Sequence, residues 1–108
     1  MQATLHLPGA APRPLTATEL AALNPHQGSD GLTLDFMGVA PVLRGLLGTD
    51  VPGEVLANGL EYLVVSVENA SDYGFSPTPS ANADVERLIG MELDEDDPLV
   101  GPLLIIEA

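Results

Sequence analysis

The chain has 108 residues, room for one domain, and sets 16 acidic residues against 3 arginines and no lysine, a net charge of −13. That charge excludes ordinary binding to phosphate backbones, which needs clustered cations, and disfavours anionic membranes. The absence of cysteine excludes disulfide frameworks, thiolate zinc sites and thiol nucleophiles.

The order of elements follows from periodicity and punctuation. Residues 2–7 alternate loosely and predict a first strand, which Pro8, Gly9, Pro12 and Pro14 break. Thr16 and Glu19 then form a Thr-x-x-Glu capping box. Leu15 and Leu20 stand where a hydrophobic staple would clamp it, and Pro25 biases Asn24 out of the helical region. A helix over 16–24 is expected.

Residues 25–31 read as a polar loop, and Leu32, Leu34 and Phe36 alternate with polar residues as in a half-buried strand. Val39, Val42, Leu43, Leu46 and Leu47 switch to helical spacing, with Pro41 in the first turn and Gly48 at the left-handed position beyond the end. Asn58-Gly59 is a hairpin turn signal, so residues 54–57 are expected to pair with the apolar, β-branched run 60–67 across a two-residue turn.

Residues 69–80, with Pro77 and Pro79, read as a loop. A helix over 81–89 places Val85, Leu88 and Ile89 on one face and ends at Gly90. An acidic loop follows, and residues 99–106 close the chain as a buried strand. The whole predicts a single α+β domain over 1–108, a mixed sheet of about four to five strands packed by about two to three short helices. With only 4% aromatic residues, the core must be aliphatic, with Phe36, Tyr62, Tyr73 and Phe75 its only rings.

No basic stretch followed by an apolar one opens the sequence. The apolar run 99–106, interrupted by Gly101 and Pro102, falls far short of the about 20 residues that a membrane helix needs. A cytoplasmic protein is the expectation.

Catalytic and cofactor motifs are missing. Neither G-x-G-x-x-G nor G-K-[ST] occurs, and His6 and His26 lack the spacing of a zinc pair and read as structural or exposed. A Ser-His-Asp set drawn from Ser66 or Ser71, His26 and an Asp has no nucleophile elbow behind it. Asn69-Ala70-Ser71 matches a glycosylation acceptor only by accident in a cytoplasmic chain. No catalytic residue, cofactor or metal ligand is therefore assigned.

Two features stand out as candidate partner contacts. One is the run Asp94, Glu95, Asp96 and Asp97, which lacks the ligand spacing of a calcium loop. The other is the loop holding Tyr73 and Phe75 beside Gly74 and Pro77, where rings either complete a ring-poor core or anchor a partner.

The segment Leu60, Glu61, Tyr62, Leu63, Val64, Val65 through Glu68 and Asn69, then Asn82, Arg87 and Leu88, then the stretch 97–106 (Asp-Pro-Leu-Val-Gly-Pro-Leu-Leu-Ile-Ile) resembles the DUF3846 group. That group comprises small, functionally uncharacterised proteins of bacteria and phages. The resemblance implies no activity and carries over no catalytic residue.

Most of the charge reads as a solubilising surface. The expected function is a non-enzymatic accessory module that binds a basic protein surface, without binding nucleic acid or membrane. The alternative is an acidic mimic of nucleic acid that blocks a DNA-binding protein, which needs carboxylates arrayed along one face. A small enzyme using an Asp/Glu pair is the third reading.

Overall fold

The computed structural model describes residues 1–94 and 96–108. In chain order the strands are β1 (Gln2–His6), β2 (Arg13–Pro14), β3 (His26–Gly28), β4 (Gly31–Thr33), β5 (Gly53–Asn58), β6 (Tyr62–Val67) and β7 (Leu103–Glu107); the helices are α1 (Ala17–Leu23), α2 (Ala40–Leu47) and α3 (Asn82–Ile89), with a 3-10 turn at Pro79–Ala81.

The main sheet runs β2-β1-β7-β6-β5, and β3-β4 form a separate hairpin. The domain is α+β as expected, but every strand pair is antiparallel rather than mixed. The long excursion between β6 and β7 explains this. It leaves after Val67 and returns at Leu103, which pairs with Ser66 at the same end of the sheet. A return to the same end gives antiparallel neighbours, whereas a parallel pair needs a crossover to the other end.

Both faces of the sheet are covered, which is why β6 and β7 read as unbroken apolar runs. Ala3, Leu5, Leu63, Val65, Leu104 and Ile106 face α1, α2 and the β3-β4 hairpin, while Val64, Leu103 and Ile105 face Ala81 and Val85 beneath α3. The core is aliphatic as expected. The four rings lie outside it, Phe36, Tyr62 and Phe75 only partly buried at its margins and Tyr73 exposed.

The capping box forms in full. The Glu19 N–H donates to Thr16 Oγ1 at 3.1 Å and the Thr16 N–H donates to Glu19 Oε1 at 2.9 Å. Arg13 grips the same carboxylate at 2.8 and 3.1 Å, and these bonds hold Glu19 down at about 2. The helix ends with Asn24 in the left-handed region at φ 47°. Thr16→Ala is expected to destabilise the fold by about 1 kcal/mol, read as a lower urea midpoint at unchanged slope.

The turn after β5 departs from expectation. Asn58 pairs with Leu63, so the connection is longer than the two-residue turn that Asn-Gly suggests, and the Gly59 N–H donates to the Tyr62 carbonyl at 2.9 Å. Two contacts favour the wider loop. The Gly59 carbonyl accepts from the Leu32 N–H at 3.0 Å, tying in the β3-β4 hairpin, and the Tyr62 ring packs directly over Gly59. That hairpin replaces the loop expected at 25–31, and the strand expected over 32–36 ends at Thr33. Among the described residues no helix is long and apolar enough to cross a membrane.

Candidate functional site

Of the loop residues singled out in the sequence, Asp97 borders a groove of about 380 Å³ on the α3 side of the sheet, at the β5 edge. Leu103 forms its apolar floor, and Leu56, Ala70 and Leu99 its apolar walls. Glu54, Asp72 and Asp97 bring carboxylates to it from three separate segments.

Each segment is held by local chemistry. In β5 a bulge falls between Val55 and Ala57, leaving Leu56 without a partner in the ladder. Such a bulge bends the strand locally, and Leu56 lines the groove there. The 69–74 turn starts at Asn69 with φ 53° and closes through N–H bonds from Asp72 and Tyr73 to the Asn69 carbonyl at 2.9 and 3.3 Å. Asparagine tolerates this left-handed backbone far better than most residues.

The far wall is tied to the Pro loop. The Thr78 N–H donates to the Leu99 carbonyl at 2.8 Å, the Gly101 N–H donates to the Ser76 carbonyl at 2.9 Å, and the buried Thr78 hydroxyl donates to the Gly101 carbonyl. Gly101 has φ +74°, and a Cβ there would stand 3.3 Å from Phe75, so the kink before β7 depends on glycine.

The structure separates the two loop aromatics. Phe75 packs partly buried against the core, whereas Tyr73, 63% exposed, follows Asp72 in the chain without lining the groove. It separates the acidic run as well. Asp97 lines the groove, whereas Asp94 and Asp96 are exposed loop residues, the Asp96 N–H donating to Asp94 Oδ1 at 2.9 Å. Glu95 lies outside the described residues. No three potential metal ligands converge among the described residues.

Among the described residues, neither Glu54, Asp72 nor Asp97 has an arginine or histidine partner. Arg13 is taken by Glu19, and Arg87 by Asp84 and Glu107 at 3.7 and 3.1 Å. The groove thus concentrates uncompensated negative charge over an apolar floor.

The Ser-His-Asp combination weighed from sequence does not assemble. His26 lies exposed in β3 with its Nε2 3.5 Å from Asn24 Nδ2, and no hydrogen bond joins it to Ser66 or Ser71. A different set does come together. His6 Nδ1 lies 3.1 Å from Ser80 Oγ, and its Nε2 lies 3.4 Å from Asp84 Oδ2, without the alignment of a hydrogen bond.

The His6 ring is wholly buried, and neither the acidic groove nor the second cleft, which α2 lines, is lined by His6, Ser80 or Asp84. The trio ties β1 to α3 and to the 3-10 turn that precedes it. Burial pushes the His6 imidazole below its ordinary value, and the nearby Asp84 carboxylate offsets this in part. Ser80 and Asp84 are four apart, one helical turn, which is the only local clue. Their meeting with His6 depends on the fold.

No protein-family model, curated protein or solved structure matches this chain.

Proposed function

We propose that the protein is a non-enzymatic, cytoplasmic binding module that takes a basic, extended segment of a partner protein into the acidic groove. One observation carries the reading: three uncompensated carboxylates, Glu54, Asp72 and Asp97, reach the same apolar-floored groove from separate parts of the chain. Lysine and arginine suit it because their stems pack on apolar surface while their heads keep polar partners. Leu56 and Leu99 offer that surface.

Convergence into a concavity supports this reading over mimicry of nucleic acid, which calls for carboxylates displayed along a face at regular spacing. A bacterial or phage setting, as the DUF3846 resemblance implies, accommodates such an accessory protein.

The test is titration with an arginine-rich peptide, followed by amide chemical shifts, in the parent and two triple variants. Glu54→Gln/Asp72→Asn/Asp97→Asn is expected to weaken binding at least about tenfold, as loss of charge-assisted contacts does. Asp30→Asn/Asp50→Asn/Glu92→Gln removes as many charges from outside the groove and is expected to weaken it far less. Equal weakening in both would show attraction to total charge only and would overturn the groove assignment.

A further inference from the structure

A second cleft lies on the opposite side of the sheet and has the opposite electrostatic character. It measures about 230 Å³ and is bounded by Phe36 and Met37, by Ala40, Leu43 and Leu47 of α2, and by the approach to β5. Its one ionisable side chain is Arg44.

Helical spacing arranges it. Leu43 and Leu47, one turn apart, close the base, and Ala40 and Arg44, also one turn apart, stand along the mouth. The small Ala40 side chain leaves an opening between Met37 and Arg44.

The walls are pinned. The Gly38 N–H donates to Asp35 Oδ1 at 3.2 Å and the Val39 N–H to the Asp35 carbonyl at 3.0 Å, which fixes the turn carrying Phe36 and Met37. At the base, Gly53 lies so close to α2 that a Cβ there would stand 2.9 Å from Leu43 Cδ2. Met37 is 91% exposed beside the opening, an apolar side chain left in water.

Arg44 is unusual in this chain. Acidic residues outnumber arginines 16 to 3, yet Arg44 alone of the three has no carboxylate partner among the described residues. The Asp35 carboxylate in the neighbouring turn already accepts from Gly38. A position in the last turn of α2 suits any cation, but it does not account for the apolar cleft beside it.

We infer that this cleft binds a small monocarboxylate with a short aliphatic tail, the tail against Leu43 and Leu47 and the carboxylate on the Arg44 guanidinium. A planar guanidinium matches a carboxylate with two parallel N–H bonds. Charges more than about 8 Å from the mouth are largely screened at physiological salt, and no acidic side chain lines the cleft itself.

The probe series is hexanoate, hexanol and hexylammonium, titrated into labelled protein and read as amide shifts around residues 36–53. Hexanoate is expected to bind at least about tenfold tighter than hexanol, and hexylammonium not at all. Arg44→Gln, an exposed substitution that leaves the core intact, should reduce hexanoate to the level of hexanol. Arg44→Lys should recover part of the difference, and Ala40→Leu should abolish both by filling the opening.

The acidic-groove triple variant should bind hexanoate as the parent does, since the two sites are separate. Three results would overturn the inference: equal binding of hexanoate and hexanol, an unchanged hexanoate affinity in Arg44→Gln, or shifts scattered over the whole surface.

Discussion

Leu104→Ala is expected to lower the unfolding free energy by about 2–5 kcal/mol, more than any surface substitution considered for this chain. Leu104, the second residue of β7, has no exposure and lies between Leu5 of β1 and Val65 of β6, its register partners on the same face. Above that face lie α1, α2 and the β3-β4 hairpin, whose buried residues share one apolar cluster with Leu104. Removing it deletes transferable apolar surface and leaves a cavity that a sheet paired on both sides cannot close by moving. With single domains stable by about 5–15 kcal/mol, a loss of that size consumes a large part of the total.

Urea unfolding of parent and variant measures it, as a fall in midpoint at constant slope. Leu60→Ala is the companion. Leu60 is 65% exposed in the turn after β5, and its loss should stay within about 0.5 kcal/mol. Comparable losses from the two would mean that β7 is not the centre of the core.

Residues whose conformations are set by near neighbours were legible in the sequence. Thr16 with Glu19, Pro41 in the first turn of α2, and Gly48 and Gly90 at the left-handed ends all act within one or two helical turns, and each stands where the pattern puts it. The continuous apolar runs of β6 and β7 likewise announce burial on two faces. What local pattern could not carry was partner choice. The two-residue strand β2 and the polar β3 hold few apolar residues and exist because β1 and β4 offer them a ladder. The turn at Asn58-Gly59 widened because Leu32, far away in sequence, takes the Gly59 carbonyl.

The candidate sites show the same division. Tyr73 and the acidic run were conspicuous by composition, but nothing local says that Phe75 folds inward while Tyr73 stays out, or that of the four acidic residues Asp97 borders a groove. Glu54 and Asp72 were ordinary surface carboxylates until the fold brought β5 and the 69–74 turn to the groove that Leu103 also lines. Arg44 became distinctive only when Arg13 and Arg87 proved to be paired.

The other large effect concerns pH. His6 is enclosed between β1 and α3, and its imidazole is held below its ordinary value by burial, with Asp84 opposing. The folded protein therefore takes up this proton less readily than the unfolded chain, whose histidine titrates near about 6.5. Above that pH both states are neutral at this position and the tie between β1 and α3 is at full strength. As pH falls below it the unfolded state protonates first, so stability drops until the folded-state value is passed. Within that window the loss is at most about 1.4 kcal/mol per pH unit. A domain of this size loses roughly 4–8 °C of melting temperature for each kcal/mol.

The Glu19 carboxylate does not obscure this limb. Glu19, held at about 2 by Arg13 and the capping box, contributes stability above the ordinary carboxylate range and loses it only as pH falls toward 2. Urea midpoints measured from pH 7.5 down to 5.5, conditions chosen to bracket about 6.5, should fall in the parent and stay nearly level in His6→Phe. Phenylalanine keeps a ring in the site, and Ser80 and Asp84 can turn to water because neither is buried. Exposed His26 is common to both proteins and cancels in the difference. An equal fall in both proteins would remove His6 as the origin and place the proton uptake elsewhere in the chain.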